Sequence, residues 1–148
     1  MYFTIEHHER ADLSILENVL LWSMLAWAIG MRRGIPVEEW IEEVFAKIGA
    51  PETASQIYGF IWIIGHCASR VIEVDCVCNP RISADERSLL DILALTQHGR
   101  SSDALVLLRS LVSDQAATAA ADSAQRIMAT LTASGRFLSL CRQPACDF

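Results

Sequence analysis

The chain has 148 residues, a mean hydropathy of +0.28 and 20% charged residues, a length that suits one domain able to bury a core without disulfides or metals. Its composition excludes disordered and collagen-like classes, and its net charge of −6 argues against a sequence-independent nucleic-acid binder. Residues 1–75 carry eleven Asp/Glu and five Lys/Arg, whereas 76–148 carry seven of each, so the acidity lies wholly in the first half.

The first nine residues show no basic stretch leading into an apolar one. The longest apolar runs, 19–31 and 57–65, fall short of the ~20 residues that span a bilayer. Both features predict a cytoplasmic protein without a membrane span.

Helix one is predicted over 12–33, with Asp12 or Ser14 as cap and Gly34 as stop. Leu13, Leu16, Leu20, Trp27 and Met31 mark one face, and Leu21, Met24, Leu25 and Ala28 widen it until the second half is apolar nearly all round. Helix two follows Pro36 and ends at Gly49. Val37, Trp40, Ile41, Val44, Phe45 and Ile48 form its apolar set, with Glu38, Glu39, Glu42 and Glu43 outward. Helix three opens at Pro51 and is expected to reach Val74, with Gly59 and Gly65 marking close approach of a neighbour.

Residues 75–81 read as an extended loop, since Asn79 before Pro80 is pushed out of the helical region. The stretch 75–82 is the candidate junction within a single domain. Ser83 and Glu86 then form an S-x-x-E capping box ahead of Leu89, Leu90, Ile92, Leu93 and Leu95, and Gly99 stops helix four. Helix five starts at Ser101 or Ser102 and presents Leu105, Leu108, Leu111 and Val112. Ser113 or Asp114 opens helix six, Ala-rich in its first half, which ends near Gly135. A flexible tail is expected over 141–148. The fold class is therefore all-α, a compact bundle of about six helices in a three-plus-three arrangement.

The segment from Leu95 to Arg100, continuing through Ala104, Leu108 and Leu111, resembles one tetratricopeptide hairpin over about 25 residues, and 131–136 echoes its start. Asp91 stands where that family wants an apolar residue and Ile92 where it wants a small one. Stable arrays need about three units, for which this half has no room. Ordinary helix-stop chemistry accounts for the repeat.

Five cysteines, at 67, 76, 78, 141 and 146, give an odd count that favours reduced thiols. Cys76 and Cys78 point the same way in an extended loop, so with Cys67 and His66 they could ligate zinc or another thiophilic metal. The spacing matches no standard metal pattern, and free cysteine packs as a small apolar residue; the expectation is therefore structural thiols and no cofactor. His7 and His8 are adjacent residues and chelate poorly. The four helix-two glutamates lack the histidine of a di-iron bundle and form a solvated face. His98 suits the last turn of helix four as a cap.

No nucleophile, phosphate-loop or metalloprotease motif is present. Helix five is too apolar to read a major groove. The expectation is a non-enzymatic helical interaction or regulatory protein; the alternative is a thiol-based metal or redox protein using Cys67, Cys76 and Cys78. Trp22 and Trp27, five positions apart, sit ~140° apart on helix one and cannot share one seam. With Leu21 and Met24 they predict an apolar face left for a homodimer, the commonest oligomer.

Overall fold

The computed structural model describes residues 9–75 and 78–140. After a 3-10 turn at Arg10–Asp12 come six helices: α1 (Ile15–Arg33), α2 (Glu38–Lys47), α3 (Thr53–His66), α4 (Ala84–Gln97), α5 (Ser101–Leu111) and α6 (Asp114–Ala133). Among the described residues there is no sheet, and two isolated bridges, Glu9 to Arg81 and Ala68 to Val112, tie loops together. The fold is the all-α bundle that the punctuation predicts. No helix among the described residues is long and apolar enough to cross a membrane.

Local chemistry sets most boundaries. Ser14, Ser83 and Ser113 each accept a backbone N–H with their side chain at the start of α1, α4 and α6, filling the donors a helix start leaves open. Gly34, Gly49, Gly99 and Gly135 all lie in the left-handed region just past a helix end, where a β-carbon is strained.

Long-range hydrogen bonds fix the direction of each helix. The Ser69 N–H donates to the Leu111 carbonyl, and the Ser113 N–H to the Cys67 carbonyl. Arg87 at the start of α4 reaches Glu17 at the start of α1. One end of the bundle thus gathers the starts of α1, α4 and α6 with the ends of α3 and α5. At the other end, the Ser134 hydroxyl donates to the Gly49 carbonyl and the Arg136 Nε to the Ile48 carbonyl. Hence α1, α4 and α6 run one way and α3 and α5 the other, with α2 filling the turn between α1 and α3.

A single cluster of buried apolar side chains runs from Leu13 to Leu138 and draws on all six helices. Its seam between halves is α3 against α6, where Ala117, Ala120 and Ala124 are fully enclosed. The small alanines let the two helices approach, and a β-carbon on Gly59 would meet the Ser123 hydroxyl at 4.0 Å. Gly65 has nothing within 4 Å of that position, so only Gly59 faces a neighbour. Helix α4 is central, buried from Asp85 to Arg87 and from Leu89 to Thr96.

Two expectations fail. Helix α3 stops at His66 rather than Val74, because residues beyond it are held extended against α4 and α5. The Asp85 carboxylate accepts the Glu73 N–H, and the Ser83 hydroxyl donates to the Glu73 carbonyl, while branched Val71, Ile72 and Val74 favour extended backbone. Trp40 is 58% exposed, since Val37, Ile41 and Phe45 form a narrow buried stripe and Trp40 lies on its flank. His98 does take the C-cap of α4, its N–H donating to the Ala94 carbonyl, while its ring Nε2 pairs with the Leu138 carbonyl at 2.7 Å. His7, His8, Cys76 and the tail 141–148 lie outside the described residues.

Candidate functional site

The polar end of the bundle holds the densest charge. Arg87 is 2% exposed and lies between two carboxylates: its Nη2 is 2.8 Å from Glu17 Oε2 and its Nε is 3.2 Å from Asp91 Oδ1. Glu17 also accepts the Ser14 N–H through Oε1 at 2.9 Å, so one carboxylate caps α1 and ties it to α4. Glu86 works alike, with Oε1 on the Ser83 N–H and Oε2 on the Asp75 N–H. Burial pushes the Glu86 carboxyl up, against the downward pull of the Ser83 and Asp75 amides and of Arg10. Beside it, Arg70 grips both oxygens of Asp85 at 2.9 and 2.7 Å. That hydrogen-bonded guanidinium holds Asp85 below the usual carboxylate range, with the Glu73 amide adding to it and partial burial opposing. The chemistry is adhesive: an enclosed Arg87 group joins α1 to α4, and an exposed Arg70 ties the 67–75 segment to Asp85.

Sequence reading missed Glu17, Arg87 and Asp91. A signal existed, because Ser14-Ile15-Leu16-Glu17 is a second S-x-x-E box and Arg87 and Asp91 are an i,i+4 pair. Nothing local said that the pair would be buried.

The thiol cluster looks different in three dimensions. Cys67 is a free thiol that closes α3 and packs partly buried against the core. His66 is exposed on another side of the helix; its ring stacks on Trp62 with centroids 4.2 Å apart, and Nδ1 donates to the Trp62 carbonyl at 2.9 Å. Cys78 is exposed. Among the described residues no three His, Cys, Asp or Glu side chains come together in a way that could hold a metal ion, and Cys76 is outside them.

The two tryptophans of α1 part company, as their angular separation requires. Trp27 stacks on Tyr58 of α3 with centroids 5.3 Å apart. The Tyr58 hydroxyl donates to the Glu38 carbonyl and lies 3.4 Å from Glu42 Oε2. Burial first, and then the charges of Glu42 and Glu38, push this phenol up to about 12. Trp22 stays half-buried on the outer side. Leu21 and Met24 are each 1% exposed, so their side chains belong to the chain's own core rather than to an outer face.

What α1 does present outward is a row. Ile15 is 82% and Ile29 43% exposed, and Asn18 and Arg33 are exposed beside them. Half-buried Val19, Trp22 and Ala26 complete the line. Ile15, Trp22 and Ile29 recur every seven residues, so each sits within ~20° of the last. At the opposite end of the bundle, an open groove of about 370 Å³ runs between α4 and α6 over Met128, Ala129 and Ala133. Gln97 crosses its edge, donating to the Thr132 hydroxyl and the Arg136 carbonyl and accepting the Leu138 N–H. No family model, curated protein or solved structure matches the chain.

Proposed function

We propose that the chain is a non-enzymatic helical interaction protein that works in the cytoplasm as a homodimer. The observation that carries this reading is the exposed apolar row along α1, headed by Ile15 at 82% and Ile29 at 43% exposure. Scattered single apolar residues on a surface need no partner, whereas a row at helical spacing offers a surface that a partner helix can cover. Trp40 and Trp62, 58% and 50% exposed, add the aromatic surface that protein contacts favour. The net charge of −6 disfavours a nucleic-acid partner, and the free Cys67 thiol suits a reducing compartment. Light scattering at micromolar concentration tests the reading. A mass near twice 16.4 kDa supports it, and a mass that stays at 16.4 kDa as the concentration is raised defeats self-association.

A further inference from the structure

The row on α1 is arranged symmetrically about Trp22, and that symmetry specifies a partner. Ile15 and Ile29 lie seven residues to either side of Trp22; Asp12 sits in the turn just before the row, and Arg33 ends it, ~20° from Trp22 with Arg32 beside it. When two identical helices pack antiparallel around a two-fold axis, a residue some distance before the axis meets the residue the same distance after it on the other copy. Resting on the self-association proposed above, we infer that the dimer is an antiparallel α1 pair with Trp22 at the axis. Ile15 packs on Ile29 of the second copy, and Asp12 faces Arg32 and Arg33 of the second copy.

The charges support this occupant over an unrelated protein. Asp12 is exposed on the turn before α1, and Arg32 and Arg33 are exposed in its last turn. None of the three forms an ion pair among the described residues. Opposite charges unpaired at the two ends of one apolar row cannot reach each other within the chain, because α1 is 19 residues long and spans ~28 Å. An antiparallel second copy brings both pairs together at once. A parallel copy would set Asp12 on Asp12 and arginine on arginine, so charge also selects the direction. Asn18, whose amide donates to the Leu13 and Ser14 carbonyls of its own chain, meets the small Ala26 of the second copy in this register.

The test is a charge-reversal cycle read by sedimentation of the full chain. Ile15→Glu and Ile29→Glu, both at exposed positions, should each raise the dimer Kd at least about tenfold without loss of helicity. Asp12→Arg alone, and Arg32→Asp with Arg33→Asp, should each weaken the dimer about tenfold. Combining all three reversals in one chain should bring Kd back to within about threefold of the parent. A dimer indifferent to the isoleucine variants, or a combined variant no tighter than its parts, overturns the α1 register while self-association stands. A wild-type chain that remains monomeric overturns both.

Discussion

Removing the guanidinium of Arg87 should be the most damaging single change at the polar end. Arg87→Met keeps the aliphatic stem and so the packing, but takes the charge from between Glu17 and Asp91, whose side chains are 6% and 4% exposed. Breaking a buried ion pair by deleting one partner costs ~3–5 kcal/mol, because charge remains where water cannot reach it. Two carboxylates sharing one guanidinium put Arg87→Met in the upper half of that range. Glu17 should stay in place through its second oxygen on the Ser14 amide, so relaxation into solvent is restricted. For a domain of this size each kcal/mol moves Tm by ~2–4 °C, which gives a fall of about 8–20 °C. Urea unfolding followed by circular dichroism should show a lower midpoint at unchanged m. A loss below ~1 kcal/mol at pH 7 is what surface pairs give, and would refute the enclosed triad.

Two glycines should respond oppositely to alanine. At Gly30 a β-carbon would lie 2.8 Å from the Ile35 carbonyl oxygen and 2.9 Å from Val37 Cγ2, so Gly30→Ala should cost ~1–3 kcal/mol; Gly65→Ala, with nothing within 4 Å, should gain ~0.5–1 kcal/mol, both read from urea midpoints. Ser83→Ala removes an acceptor for the Glu86 N–H at 3.0 Å and a donor to the Glu73 carbonyl at 2.7 Å; the loss should be ~1–2 kcal/mol, and an unchanged midpoint would count against the cap. Glu86 titrates above its ordinary value in the folded chain, so its protonated form favours folding: that contribution is whole below the unfolded value and fades as pH rises through the folded one. A Tm-versus-pH curve for Glu86→Gln should therefore lack this decline, while Asp85, lowered by Arg70, should still give a loss at the acid end as pH falls through its folded value.

How much was legible depends on how far a residue's partners lie along the chain. Helix starts and stops are local: Ser83 reaches a backbone group three residues on, and Gly99 needs only its own dihedral angles, so both could be read directly. The same holds for the all-α class, which follows from apolar periodicity. The end of α3 was not local, because the Glu73 and Asp75 N–H groups donate to the Asp85 and Glu86 carboxylates on α4, and no propensity within 67–74 reports that competition. Nor was the fate of Leu21, Met24 and Trp22, alike in hydropathy but divided between core and outer face by which neighbours cover each side of α1.

The proposed thiol site shows the same limit from the other direction. Sequence placed His66 and Cys67 side by side, but adjacent helical residues diverge, and the structure sends His66 onto Trp62 and Cys67 toward the core. Conversely, Glu17 and Arg87 stand seventy residues apart and end within hydrogen-bonding reach. Sequence by itself determined the caps, the glycine stops, the helical class and the symmetric spacing of Ile15, Trp22 and Ile29, since each depends on backbone geometry a few residues wide. Tertiary structure alone decided where α3 ends, that Trp40 faces water, and that Arg87 is enclosed, because burial is a property of what distant segments pack against.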